Sequence, residues 1–144
     1  MPHLYGQATT TVDDKNRMSI PAKFRNAIDE EYRGTLYLTV GQDNCIYAYP
    51  LDGWEQKFGS YDPTEYETNE DTRWKMRDDQ FMLDVVQIDK QGRIYLPSNL
   101  VTYAKIKKEI LILGTVDKLE FWNPQQYKSA RKKYLQKQSN KVAD

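Results

Sequence analysis

Cysteine and histidine occur once each, as Cys45 and His3. That scarcity excludes a disulfide framework, a zinc cluster and a Cys/His catalytic pair built within one chain. Cys45 lies in the apolar run Cys-Ile-Tyr-Ala-Tyr with no basic neighbour to lower its pKa, so it reads as a buried, inert thiol. Long apolar runs are also missing. The longest purely aliphatic one, Ile110 to Leu113, falls far short of the roughly 20 residues of a membrane span. The opening Met-Pro-His-Leu-Tyr-Gly-Gln has no basic segment followed by an apolar one, and a cytoplasmic location with no membrane partner is expected. There is no Gly-rich phosphate loop and no Ser/His/Asp set. Carboxylates do come in pairs, at Glu65/Glu67 and Asp78/Asp79, but in a charged run without an apolar pocket to raise a pKa. The chain therefore reads as a non-enzyme with no cofactor, metal or small-molecule substrate.

Excess charge of either sign is lacking as well, with 21 basic against 21 acidic residues. Taken alone, that argues against a nucleic-acid partner. The average conceals a pattern: residues 34–80 hold four Lys/Arg against ten Asp/Glu, and residues 121–144 hold six against one. The 144 residues, 39% of them hydrophobic, suffice for one compact domain and not for two ordinary ones.

What the chain does have is a repeat. Val-Asp-Asp-Lys-Asn-Arg-Met-Ser-Ile-Pro, from Val12, returns 76 residues later as Ile-Asp-Lys-Gln-Gly-Arg-Ile-Tyr-Leu-Pro, from Ile88. Asp13 matches Asp89, Arg17 matches Arg93, and Pro21 matches Pro97. Further on the spacing shortens to 73, setting Val40-Gly41 on Leu113-Gly114, Ile46 on Leu119, Tyr49 on Trp122 and Trp54 on Tyr127. Two half-domains of one plan are indicated.

Each half reads alike. A strand (Thr10, Val12; Val86, Ile88) enters a polar turn, and a second strand leaves it with Met18 and Ile20, or Ile94 and Leu96, on one face, which predicts a hairpin. Pro21 and Pro97 suit a first helical position, followed by Phe24, Ala27 and Ile28, or Leu100, Tyr103 and Ala104, at helical spacing. Two more apolar strands complete the unit. So few strands and one short helix leave an apolar face exposed, so the halves are expected to cover each other, interleaved in one small barrel. Asp62-Pro63-Thr64-Glu65 and Asn123-Pro124 each announce a helix start, the first leading to Gln80, the second to a helix with Tyr127, Ala130, Tyr134 and Leu135 on one face and Lys128, Arg131, Lys132 and Lys133 mostly on others.

The tandem Asp-Asp-Lys-Asn-Arg-Met-Ser-Ile-Pro-Ala-Lys-Phe-Arg and Ile-Asp-Lys-Gln-Gly-Arg-Ile-Tyr-Leu-Pro, with their shared downstream pattern, resemble the MraZ family of bacterial transcription regulators, whose halves are related to the AbrB-type swapped-hairpin barrel. The likeness covers nearly the whole chain. It implies an α+β, mainly β fold of two SpoVT-AbrB-like repeats, 7–54 and 82–127, joined by a helical acidic linker, 55–81, and ending in a basic helix and tail, 128–144. It also implies a homo-oligomeric ring that binds repeated elements in promoters of the division and cell-wall cluster, in the cytoplasm and on the nucleoid. One departure is Asn16, where the second copy has Gly92; Asn tolerates a left-handed backbone, so the turn is expected to survive.

Double-stranded DNA is a physically sensible partner for these residues. Lys15 and Arg17, with Lys90 and Arg93 in the second copy, are cations at hairpin tips, within reach of phosphates or a guanine edge. Asp13 and Asp89 would orient the guanidiniums through charge-assisted pairs. Lys23 and Arg25 extend the positive region along the first helix, whereas the second half has Asn99 and Val101 there. The first copy is therefore expected to carry more of the DNA contact. The competing reading of Asp-x-x-x-Arg is a structural ion pair that closes the turn. The competing function is an AbrB-type antitoxin or another protein-binding module. The basic tail has two readings, loose phosphate contacts or pairing with the acidic middle segment.

Overall fold

The computed structural model describes residues 4–32, 34–59 and 61–143, so that His3 lies outside it. The first half runs through β1 (Leu4–Thr11), β2 (Arg17–Ser19), α1 (Ala22–Tyr32), β3 (Thr35–Val40) and β4 (Ile46–Tyr49), and ends in α2 (Leu51–Phe58). Two helices, α3 (Pro63–Thr68) and α4 (Glu70–Phe81), make the connection. The second half repeats the order as β5 (Asp84–Gln87), β6 (Arg93–Tyr95), α5 (Ser98–Tyr103), β7 (Glu109–Val116), β8 (Leu119–Trp122) and α6 (Pro124–Ala143). The strands follow the two sequence spacings: β2 and β6 stand 76 residues apart, β4 and β8 stand 73 apart.

The fold is α+β, with an antiparallel six-stranded sheet in the order β1-β7-β8-β4-β3-β5. Each half contributes its third and fourth strands to the middle of the sheet, and each half's first strand lies against the other half's third. Thus β1 runs along β7 from Leu4↔Val116 to Thr11↔Glu109, and β5 runs along β3 from Thr35↔Gln87 to Leu38↔Asp84. The second strands form their own ladder, β2 with β6.

Two expectations change. Both hairpins are reduced to their turns: Val12 bridges Met18 in the first half, Asp89 N donates to Arg93 O at 2.8 Å in the second, and beyond that the arms of each diverge to different partners. The sheet is also open, with β1 and β5 as edges, so no closed barrel is formed. Three-residue strands are too short to join those edges, and β2–β6 instead makes a separate ribbon over the sheet. Met18, Ile20, Ile94 and Leu96 are fully buried from the ribbon side, against Leu36, Leu38, Ile110 and Ile112 from the sheet and Phe24 and Leu100 from the helices. Each such side chain contributes on the order of 1.5–3 kcal/mol by leaving water, so mutual coverage of the halves holds the domain together.

Helix starts obey the local chemistry. Pro21 and Pro97 stand one place before the first helical residue and not at it as expected, because their carbonyls already accept from Phe24 N and Arg25 N and from Leu100 N and Val101 N. Asp62 Oδ1 accepts from Thr64 N at 2.9 Å and opens α3. The helical run then breaks at Asn69, whose extended backbone ends α3 and whose Oδ1 accepts from Thr72 N at 3.1 Å to start α4. Asn123 Oδ1 caps α6 by accepting from Gln125 N at 2.8 Å.

Candidate nucleic-acid interface

Both repeated turns are built by their aspartates. Asp13 Oδ1 accepts from the backbone N–H groups of Lys15 and Arg17, each at 2.9 Å, while Oδ2 accepts from Arg17 Nε at 2.9 Å. Asp89 Oδ1 accepts from Gln91 N and Arg93 N at the same distance, but its Oδ2 stands 3.5 Å from Arg93 Nε. The turn needs one residue at positive φ, supplied by Asn16 (60°) and by Gly92 (79°) at equivalent positions. Asn16 therefore takes the left-handed backbone expected of it. Hydrogen bonding from the backbone N–H of Arg17 or Arg93 is the largest cause holding each aspartate below the ordinary carboxylate value. Both stay ionised at neutral pH and hold the guanidinium opposite them.

The two turns interlock. Ile20 N donates to Gly92 O at 2.8 Å, and Leu96 N donates to Asn16 O at 2.7 Å, so the left-handed residue of each half receives the outgoing strand of the other. Within the ribbon Met18 opposes Ile94, and both point into the core. Alternation turns the remaining residues outward: Arg17 opposes Tyr95 and Ser19 opposes Arg93. One outward face thus carries the half-buried arginines of both copies on a diagonal, about 7–8 Å apart by strand geometry, with Arg93 the more covered of the two. Tyr95 beside them is 51% exposed.

Lys15 and Lys90 are exposed in the turns at opposite ends of this ribbon. The two helix cations behave differently. Lys23 Nζ donates to the Gln7 carbonyl at 2.6 Å and lies 4.9 Å from the Phe24 ring centre. Arg25 Nη1 donates to the Ile20 carbonyl at 3.2 Å and lies against Gly92. Of the eight residues singled out from the sequence, six thus gather on the ribbon and its two turns, and two tie α1 to β1 and to the second copy's turn. Tyr95 and Ser19 were missed. The 76-residue spacing aligns them and could have found them, since they are the outward pair at which the copies differ.

The other candidates separate from this face. Glu65, Glu67 and Asp78 are exposed. Asp79 is half-buried, accepts from Tyr61 Oη at 3.2 Å and is raised chiefly by burial, so the charged run does shelter one carboxylate. Cys45 is buried, its Sγ 3.3 Å from the Gln42 carbonyl, and burial pushes its thiol up. Among the described residues no group of three or more His, Cys, Asp or Glu could hold a metal ion, and no helix is long and apolar enough to cross a membrane.

Fold and site together define a protein of two fused, interleaved α+β halves that present one arginine-bearing β-ribbon. The chain matches the family described as "MraZ protein, putative antitoxin-like" over residues 4–77 and 84–144. It is 38% identical over 125 residues to the transcriptional regulator MraZ of Caldanaerobacter subterraneus subsp. tengcongensis, covering 83% of this chain and 80% of that one. It is 37% identical over 125 residues to its namesake from Clostridium tetani, covering 85% and 82%. Against that of Limosilactobacillus fermentum it is 34% identical over 127 residues, covering 86% and 83%. The chain belongs to the MraZ family.

Proposed function

We propose that this chain is a transcriptional regulator that reads promoter DNA with the β2–β6 ribbon. The observation that carries the reading is the gathering of Arg17 and Arg93, each opposite its own ionised aspartate, on one outward face. A two-stranded ribbon fits the major groove, and an arginine there donates in pairs to a guanine edge. A diagonal of about 7–8 Å matches about two base-pair steps of 3.4 Å. Lys15 and Lys90 at the turns supply phosphate contacts on either side. Lys23 ties α1 to β1 and Arg25 braces the Gly92 turn, so both back the ribbon's setting more than they add to its reading face. The relatives' name supports a regulatory role and gives no support to an enzymatic one.

The interleaved pairing of β1 with β7 and β5 with β3 supports two AbrB-type swapped-hairpin halves, which we assign to 7–54 and 82–127, with 55–81 as linker and 128–144 as basic helix and tail. One ribbon on a chain of zero net charge binds a single element weakly. A homo-oligomeric ring presenting several ribbons would gain avidity on direct repeats spaced by about 10 base pairs. Such repeats belong to promoters of the division and cell-wall cluster, and a protein engaged there resides on the nucleoid. An antitoxin role, which the family description mentions, would use an extended tail to block a toxin; α6 is a capped helix of 20 residues, which favours the regulator.

A mobility shift with the protein's own upstream DNA tests the reading. Tandem elements should be retarded at much lower protein concentration than one isolated element, and Arg17→Ala should abolish the shift while assembly is retained. Equal retardation of upstream and scrambled DNA would count against it.

A further inference from the structure

We infer that the basic groove beside α6 of one copy receives the acidic Asp62–Asp71 segment of a second copy; the inference rests on the proposed self-assembly and specifies its contact. Helix α6 carries six Lys/Arg and no acidic residue. Its start is anchored: Asn123 Nδ2 donates to the Lys105 carbonyl at 2.7 Å, and Tyr127 meets Trp122 edge-on at 5.2 Å. Twenty residues extend about 30 Å, and farther along the helix Tyr134 is 59% and Leu135 44% exposed. A helix with so little cover is marginal alone and calls for a partner.

A groove of ≈ 770 Å³ lies along this helix. Trp122, Tyr127 and Tyr134 give it an aromatic lining, Lys105, Arg131, Lys133 and Lys137 give it four positive charges, and Asp43 is its one carboxylate. Among the described residues none of those four cations lies in an ion pair within 4.0 Å. The groove therefore suits an acidic occupant with an aromatic or apolar centre.

The chain carries such a segment elsewhere. Asp62 to Asp71 contains five carboxylates and no base, with Tyr66 among them. Glu65, Glu67, Glu70 and Asp71 are all exposed, and among the described residues none is ion-paired. Among the described residues no ion pair joins this segment to α6 within one copy, so the two charged surfaces are available to different copies. Opposite charge on two separate surfaces of one chain makes a head-to-tail contact, which propagates and closes into a ring where the rotation permits. Arg73 donates to the Tyr66 and Glu67 carbonyls and Arg77 lies over the Tyr66 ring, so two cations already border the segment, and the groove supplies the larger opposite charge. Pairing the two surfaces removes both charges from the field around the ribbon.

The test is reciprocal charge reversal in the full chain, read as mass by light scattering. R131E/K133E/K137E alone opposes acid to acid, and E65K/E67K/E70K alone opposes base to base, so each should fall to small species. Mixed one to one, every groove again meets a segment of opposite sign, and the wild-type mass should return as an alternating assembly. These side chains are exposed, and circular dichroism checks that each variant is folded. Wild-type mass in either variant alone, or no recovery on mixing folded variants, overturns the inference. Should the groove variant keep its mass and lose only its mobility shift, the cations serve DNA phosphates and the inference also fails. A wild-type chain that is itself monomeric removes the self-assembly reading as well, which separates the two failures.

Discussion

Arg25 of the first half lies across Gly92 of the second: its Nη1 donates to the Ile20 carbonyl at 3.2 Å, and a Cβ at position 92 would collide with the same guanidinium. Gly92 also sits at φ 79°. Gly92→Ala therefore combines a steric push on Arg25 with a left-handed alanine, which costs about 1–2 kcal/mol. The thermal midpoint should fall by several degrees. Asn16→Gly at the equivalent position, φ 60°, should leave it nearly unchanged. A fall for Gly92→Ala that is just as large in an Arg25→Ala background would show that Arg25 exerts no constraint on the turn.

Arg25→Ala should act on stability before it acts on DNA. The lost contact is a charge-assisted hydrogen bond to a part-buried carbonyl, about 1.5–3 kcal/mol with the acceptor left unpaired. Chemical denaturation checks it through the midpoint at constant slope. A variant of unchanged stability with weakened retardation of promoter DNA would return Arg25 to the list of direct contacts.

Much of the local chemistry could be read in the sequence because it is short-range. Asp13 and Arg17, four residues apart, specify their own turn, and Asp62 and Asn123 specify their own helix starts. Pairing between halves could not be read in this way. The alternation around Val12 tells which face is buried and not which strand lies alongside, and two halves with nearly equal patterns offer each other equivalent partners. The contacts of Lys23 and Arg25 were not legible for a related reason: their acceptors, the Gln7 and Ile20 carbonyls, are backbone groups without a sequence signal. Helix α2 was missed because its anchor is tertiary, with Trp54 stacked on Tyr37 of β3 at 5.4 Å.

Acid should loosen both turns. The pKa values of Asp13 and Asp89 lie below the ordinary 3.8, first because of the N–H groups of Arg17 and Arg93. A carboxyl whose folded value lies below its unfolded one adds stability that is fully present above the unfolded value and is lost as pH falls through the folded one. The thermal midpoint should therefore show no contribution from these groups to its pH dependence between about pH 5 and 8, and below 3.8 it should drop more steeply in the wild type than in the Asp13→Asn/Asp89→Asn double variant. Parallel acid limbs for the two proteins would mean that the aspartates carry no folded-state advantage.

Tyr95 sets the two copies apart on the ribbon, facing Arg17 across the strands where the equivalent residue of the first half is Ser19. Tyr95→Ala removes a rigid aromatic contact beside the arginine and should weaken retardation of the promoter element, while Tyr95→Phe keeps the ring and loses only the hydroxyl. If the ring makes the contact, the phenylalanine variant binds like wild type. If the hydroxyl makes it, the two variants fail alike.

The ribbon also alters what the two motif arginines should do. Sequence pattern alone favours the first copy, because Lys23 and Arg25 follow Arg17 while Asn99 and Val101 follow Arg93. With those two cations bonded to carbonyls and both arginines on one face, the contributions become comparable. Arg17→Ala and Arg93→Ala should each cost about 1–3 kcal/mol of affinity per ribbon, a loss that the proposed ring would multiply. The pairs they break are partly exposed, so each variant should lose little stability. Titration of one labelled element at fixed salt, on samples of verified mass, compares them directly. Should Arg93→Ala lower the melting temperature and leave affinity intact, the second turn is structural, and the DNA contact belongs to the first copy alone.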